Sequence, residues 1–167
     1  QSVLNMKYAQ ISIPASTISI VGGTPQLISL SSISTNSSNV SLSGNNIVLQ
    51  GGVDYFIITS VAYRHSSTSY PLTANGSAIV KFGIFNVTDN TWPTQKTSWP
   101  VANNLSTINY GLGGHSPQAM CVIPSFSGSK QFQLKIKSSP TGTTTMYITN
   151  NNATVATSDS AIIIYHN

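Results

Sequence analysis

The sequence predicts an all-β fold, an antiparallel β-sandwich of the jelly-roll type, and two observations support it. Apolar residues recur with a period of two, and β-branched and aromatic residues dominate the apolar segments. Clusters of Gly, Pro, Asn and Ser separate these segments at short intervals, for example at residues 22–25, 43–46 and 139–142. Many short strands at this spacing are typical of a sandwich or jelly roll and not of a parallel sheet with crossover helices.

The predicted strands follow one another along the whole chain, with no convincing helix between them. In chain order they cover residues 7–13, 17–20, 26–30, 40–42, 46–49, 53–64, 77–87, 106–110, 118–124, 131–137, 144–149 and 160–166. There is no internal repeat and no long linker, so residues 1–167 are expected to form one domain. Because the sequence starts with Gln1 and not with Met, we expect this domain to be the C-terminal head of a longer protein.

Two of the predicted strands, 53–64 and 160–166, are apolar on both faces. An antiparallel sandwich strand normally has one face in contact with water, so a strand that is apolar on both faces requires a second partner. One interpretation is that the partner is another subunit. The alternative is that a loop of the same chain covers the second face, or that a central strand is partly exposed. In the first case, the residues expected at the subunit interface are Tyr55, Ile57, Tyr63 and Tyr165.

The composition is unusually poor in charge. Only 6% of the residues are charged, against roughly 25% in ordinary soluble domains, and Ser, Thr and Asn supply the polar surface instead. This pattern favours a protein exposed outside cells or on a virion. The formal charge is +4, but the seven cations are scattered and do not form the dense basic stripe of a nucleic-acid-binding protein. No apolar run approaches the roughly 18 residues of a membrane span.

The residues that most enzymes use are scarce, so we expect no catalytic activity, no metal and no cofactor. There is no Glu, and the carboxylates lie far apart in sequence, at Asp54, Asp89 and Asp159. No histidine has a second ligand at metal-binding spacing. The serines lack the sequence context of a nucleophile. Cys121, the one cysteine, lies in an apolar segment and is predicted to be a buried core residue that forms no disulfide within the chain.

One loop, residues 90–100, has the composition of a ligand-binding surface. It contains both tryptophans, Trp92 and Trp99, together with Gln95, and prolines interrupt it twice. Exposed aromatic rings can stack on sugar faces while neighbouring amides and hydroxyls fix the orientation of the ligand. Tyr70, in a second Ser-rich loop, is expected to contribute to the same surface. The alternative is that each tryptophan folds back to cap the edge of the sandwich and that the second loop is a plain connector.

Three segments resemble the C1q/TNF-like jelly-roll family. Residues 46–61, NIVLQGGVDYFIITSV, are similar to its central strand, in which a short Gly-containing turn leads into an aromatic-rich strand. Residues 159–165, DSAIIIY, resemble its C-terminal strand, and residues 8–20 resemble its opening strand. The resemblance implies a ten-stranded jelly roll that forms a compact homotrimer, as in the heads of viral spikes and fibres, spore-surface proteins, bacterial lectins and signalling ligands.

Composition and resemblance together predict a virion-surface spike or fibre head, most like that of a phage, in contact with other virion proteins. Such a head attaches to a host receptor or a surface glycan, and a trimer repeats each weak contact three times. One alternative is a structural capsid decoration or vertex protein. Another is a cellular TNF-like lectin or signalling ligand.

Overall fold

The computed structural model describes residues 5–21, 24–65, 80–93, 95–97, 118–138, 143–148 and 160–167. These residues contain β-strands and no helix. The fourteen strands in these ranges are β1 (Lys7–Ser12), β2 (Ser16–Val21), β3 (Gln26–Leu27), β4 (Ser32–Thr35), β5 (Val40–Ser43), β6 (Asn46–Gln50), β7 (Tyr55–Ser60), β8 (Tyr63–His65), β9 (Val80–Asn86), β10 (Gln95–Thr97), β11 (Gln118–Ile123), β12 (Ser129–Ser138), β13 (Thr143–Ile148) and β14 (Ala161–His166).

The strands form two large antiparallel sheets and one small one. The first sheet has six strands in the order β10-β11-β7-β14-β1-β4. The second has the order β3-β12-β6-β5, with β9 also paired to β12, and the third has the order β2-β13-β8. The first described strand, β1, pairs with the last one, β14, and β14 pairs on its other side with β7. The central strands of the first sheet therefore come from distant parts of the sequence.

The hydrophobic core lies between the first and second sheets. Along β7, β11 and β14 every second side chain is buried in it, as the period-two pattern predicts. Its largest fully buried side chains are Tyr55 from the first sheet and Phe132 from the second, surrounded by Ile and Leu residues. Full burial of one such side chain contributes about 1.5–3 kcal/mol, so this core is the main source of stability.

Several predicted strand boundaries need correction. The predicted strand 53–64 is two strands, β7 and β8, which belong to different sheets. The chain changes sheet at Val61 and Ala62, which are buried, and the amide of Ala62 donates a hydrogen bond to Ser160 Oγ at 2.7 Å instead of joining a ladder. Strand β4 was not predicted, because Ile33 is its only apolar residue. The predicted strand 106–110 lies outside the described residues.

Candidate functional site

One face of the first sheet points away from the core and is mostly apolar. The registers of β11, β7, β14 and β1 align its side chains in two rows across the four strands. The first row runs Val122, Phe56, Tyr165 and Tyr8, and the second runs Met120, Ile58, Ile163 and Gln10. These eight residues are called the front face. None of them is charged.

Much of the front face is accessible to water in the single chain. The exposed fraction is 55% for Val122, 42% for Tyr8, and 39% for both Phe56 and Met120. Ile58, Ile163 and Tyr165 are half-buried. Soluble monomers rarely expose a large contiguous apolar patch, and such patches commonly mark protein interfaces or binding grooves. The front face therefore has the character of an interface.

The front face has defined ends. Beyond the second row, the next row across the sheet is small or polar and consists of Gln118, Ser60, Ala161 and Ser12. Beyond the first row lies a shallow concavity lined by Met6, Asp54, Tyr55, Phe56, Val122, Tyr165, His166 and Asn167. Met6, at its rim, is 53% exposed. The apolar surface therefore extends from the middle of the sheet to the end at which the chain terminates.

The structure corrects two of the predicted interface residues. Tyr55 and Ile57 are 0% and 1% exposed, and both side chains lie in the core of the chain itself. Their neighbours in β7, Phe56 and Ile58, occupy the front face instead, because successive strand residues point to opposite faces. Tyr165 does lie on the front face, and its part in an interface stays a prediction. Tyr63 belongs to β8 in the third sheet, and its side chain lies outside the described residues.

Tyr55 is buried because the fold gives partners to both its ring and its hydroxyl. The ring meets the edge of the His166 ring, with 5.3 Å between centroids, and stacks with Phe126 at 6.3 Å. The hydroxyl donates a hydrogen bond to the carbonyl of Gln50. Burial raises the pKa of Tyr55 above its ordinary value, so the hydroxyl stays protonated and can act as this donor.

A buried polar cluster joins the end of β14 to the turn after β4. Ser37 Oγ lies 2.5 Å from His166 Nε2, and His166 Nδ1 lies 2.8 Å from the Asn167 carbonyl oxygen. Because that oxygen only accepts, Nδ1 donates to it, and Nε2 shares a second hydrogen bond with the Ser37 hydroxyl. Ser37 Oγ accepts in turn from the amide of Asn39 at 3.1 Å. Ser37 and His166 are only 7% and 8% exposed, so this cluster holds the end of β14 against the turn after β4.

Trp92 lies on the outer surface of the second sheet and is 47% exposed. Its ring packs against Phe85, with 4.9 Å between centroids and planes tilted by 58°. The ammonium of Lys135 lies 4.1 Å from the centroid of Phe85. Trp92 therefore does not cap the sandwich edge completely, and it does not stand free of the surface. Phe85 supports its ring, and about half of the Trp92 side chain is accessible to water.

A tight turn after β9 positions Trp92. Asn86 and Thr91 form two backbone hydrogen bonds, of 2.9 and 3.1 Å, which bring residue 92 back beside Phe85. Asn86 Oδ1 accepts the amide of Asp89 at 3.0 Å, and Asn90 takes the left-handed conformation with φ of 55°. Lys130 Nζ lies 2.5 Å from Asp89 Oδ2 across the turn, and this hydrogen bond lowers the pKa of the Asp89 carboxyl.

Only one of the four predicted ligand-binding residues, Trp92, has a side chain within the described part of the chain. Gln95 belongs to β10 on the first sheet, opposite Cys121, and its side chain lies outside the described residues. Tyr70 and Trp99 also lie outside them. Neither Phe85, which contacts the ring of Trp92, nor Lys135, which contacts the ring of Phe85, was predicted as a binding residue. The sequence feature that could have identified Phe85 was its position on the outward face of a predicted strand.

Two further classes of site can be assessed within the described ranges. There, no three His, Cys, Asp or Glu side chains come together in a way that would hold a metal ion. Nor does any helix in those ranges have the length and hydropathy needed to cross a membrane.

Comparison with known proteins gives a structural likeness and no sequence match. No protein-family model matches the chain, and no curated protein matches it. A crystal structure of murine APRIL at pH 8.0 superposes with a TM-score of 0.51 and 7% sequence identity, over 97% of this chain and 98% of that chain. Crystals of murine APRIL at pH 5.0 and pH 8.5 give TM-scores of 0.48 and 0.43, with 10% and 11% identity, each over 86% of this chain and 98% of that chain.

The first of these likenesses extends over nearly the whole of both chains and concerns the fold alone. APRIL is a TNF-family protein, so the chain has a C1q/TNF-like antiparallel jelly-roll fold. The fold predicted from the sequence is confirmed.

Proposed function

We propose that this chain is the head domain of a homotrimer that attaches to a receptor or a glycan on a surface outside the cell. The observation that carries the proposal is the front face, an uncharged apolar surface on the central strands of the first sheet. The proposed occupant of each front face is a neighbouring copy of the same chain in the trimer. The TNF-like jelly-roll fold and the C1q/TNF-like segments of the sequence support three-fold assembly, since that resemblance implies a trimer.

The energetics favour burial of the front face. Removing one exposed Val, Phe or Met side chain from water contributes about 1.5–3 kcal/mol when its burial is complete. The most accessible apolar residues of the front face are Val122, Phe56, Met120 and Tyr8. The front face contains no charged group that would lose its hydration on contact with another copy, and such a loss is the usual cost of a polar interface. A second copy of the chain can therefore cover the front face, and no partner of another kind is needed.

The proposed setting is a virion-surface spike or fibre head, in contact with other virion proteins and without catalytic activity. The low content of charged residues supports an exposed, extracellular location. A capsid decoration protein remains an alternative, with the front face in contact with a different protein, and so does a cellular TNF-like lectin or ligand. A trimeric head differs from the decoration protein because it binds a surface through three sites at once.

Retention on a densely printed glycan array tests this role. The wild-type chain is compared with a Phe56→Lys variant, in which a charge on the front face prevents assembly. We expect the wild type to dissociate from dense glycan spots at least about ten times more slowly than the variant, because multivalency slows release. Equal dissociation rates would contradict attachment through a trimer, and no retention of the wild type on any glycan would contradict attachment through a glycan.

A further inference from the structure

The outer surface of the second sheet, on the side of the sandwich away from the front face, carries an aromatic and amide platform. Strand β12 turns the side chains of Gln131, Gln133 and Lys135 outward, while Phe132, Leu134 and Ile136 enter the core. Gln133 lies directly opposite Phe85 of β9, and Phe85 supports the ring of Trp92. We call Trp92, Phe85, Lys135, Gln133, Gln131 and Asn46 the platform.

The amides of the platform are held in place by one another. Gln133 Nε2 donates to Asn46 Oδ1 at 2.8 Å, and Asn46 Nδ2 donates to Gln131 Oε1 at 3.1 Å. Within the described part of the chain, Gln133 Oε1 is therefore available to accept a hydrogen bond from a ligand, and Gln131 Nε2 is available to donate one. Hydroxyl groups both donate and accept hydrogen bonds, so fixed amides beside an aromatic ring suit a polyhydroxylated ligand.

The charge of the platform is positive. Lys130, nearby on β12, is paired with Asp89, while Lys135 is in contact with the π face of Phe85 and has no carboxylate partner within the described residues. The whole chain has a formal charge of +4, with three carboxylates in total. A ligand that carries a carboxylate would therefore be attracted to this surface, and more strongly at low ionic strength.

We propose that the platform is a binding site for an acidic glycan. The exposed ring of Trp92 stacks on the apolar C–H face of a pyranose, Gln133 and Gln131 bond its hydroxyls, and Lys135 binds the carboxylate of a sialic or uronic acid. This inference rests on the proposed attachment role, for which it names the site and the ligand class. It does not require assembly, since all six residues belong to one chain and lie away from the front face.

Saturation-transfer difference NMR with soluble monosaccharides tests the site. The probes are N-acetylneuraminic acid and glucuronic acid, with galactose as the neutral comparison. We expect saturation transfer to the ring protons of at least one acidic sugar, with an affinity at least about five times that for galactose. Raising the salt concentration should weaken binding of the acidic sugar. No transfer to either acidic sugar, or tighter binding of galactose, would overturn the proposal.

Three variants locate the binding. Trp92→Ala should abolish saturation transfer. Lys135→Met, which leaves the indole in place, should lower affinity for the acidic sugar at least fivefold and leave galactose unaffected. Lys7→Met, on the first sheet, is the matched control and should bind as the wild type does. If Lys135→Met and Lys7→Met behave alike, the site is elsewhere. Because the probes are monovalent, the result is independent of whether the chain forms trimers.

Discussion

Tyr55 and Phe56 are consecutive residues of β7, and they lie on opposite sides of the first sheet. The ring of Tyr55 is completely buried in the core, whereas 39% of Phe56 is exposed on the front face. Strand β7 thus contributes to two apolar surfaces at once, one inside the chain and one outside it. The same division occurs in β14, where Ile164 is buried and Ile163 is only half-buried. The two central strands therefore connect the core to the proposed subunit interface.

Gly51 is predicted to be essential for the turn between β6 and β7. A Cβ atom at this position would overlap the Phe126 carbonyl oxygen and lie 2.9 Å from that of Gly128, both backbone atoms. The Gly51 amide also donates to the Gly128 carbonyl at 2.6 Å. Gly51→Ala should therefore lower the free energy of unfolding by about 2–3 kcal/mol, the upper range for overpacking. Denaturant unfolding measures the change.

Gly44 is the matched control for this substitution. It takes a left-handed conformation with φ of 59°, but a Cβ atom added there would have no other atom within 4 Å. Gly44→Ala should cost only about 1 kcal/mol, from backbone strain without steric clash. Equal effects of the two substitutions would show that close backbone approach is not the reason for glycine at position 51.

The buried cluster at the end of β14 predicts a specific effect for Ser37. Ser37→Ala removes the hydroxyl that forms a hydrogen bond with His166 Nε2 and accepts one from the amide of Asn39. Leaving buried polar groups without a partner costs about 1–3 kcal/mol, and we expect a loss of this size in the free energy of unfolding. Ser31→Ala is the control, because the Ser31 hydroxyl is exposed, and its effect should stay within about 0.5 kcal/mol. Similar effects for the two serines would contradict the role of the cluster.

Cys121 should be unreactive in the folded chain. Its side chain is 4% exposed, and burial raises the pKa of the thiol from 9.0 to about 11. At pH 8 the folded thiol is therefore protonated and inaccessible, and labelling with iodoacetamide should be at least about a hundred times slower than in denaturant. Rapid labelling of the native chain would show that β11 is not packed as described.

The raised pKa of Cys121 also predicts how stability depends on pH. Between pH 9 and pH 11 the unfolded chain has lost the thiol proton while the folded chain retains it. The free energy of unfolding should therefore fall as the pH rises through this interval, and Cys121→Ala should reduce that fall. An unchanged slope in the variant would argue against burial of the thiol as its cause.

Alternation of apolar residues was sufficient to predict the fold class and most strands, but not which face of β7 is buried. Both Tyr55 with Ile57 and Phe56 with Ile58 are apolar pairs, so the pattern is symmetrical. The choice depends on tertiary contacts, since the Tyr55 ring meets His166 from the other end of the chain. The interface predicted on this strand was assigned to Tyr55 and Ile57, and these two side chains lie in the core of the chain.

The buried polar cluster and the platform were beyond sequence reasoning for a related reason. Ser37 and His166 are 129 positions apart, and no short motif connects them. Trp92 was predicted as a binding residue from its loop composition. Phe85, which contacts its ring, and Lys135, which contacts Phe85, come from two separate strands that only the sheet register brings together. Strand register depends on the whole sheet, so these contacts required the structure.

Charge substitutions on the two sheets should affect assembly differently. Phe56→Lys places an ammonium group on the front face and should give a monomer. Leu27→Lys is matched to it, since Leu27 is 38% exposed and lies on the second sheet, and it should leave the oligomeric state unchanged. Light scattering on both variants checks the result. Dissociation of both, or of neither, would show that the front face is not what joins the subunits.

The mass of the wild-type chain in solution, measured by light scattering over a range of concentrations, tests the central claim most directly. We expect a mass of three times 17.7 kDa, the mass of one chain, and we expect this mass to persist on dilution. A mass of 17.7 kDa at every concentration would contradict the account, because the front face would then remain exposed in the functional protein.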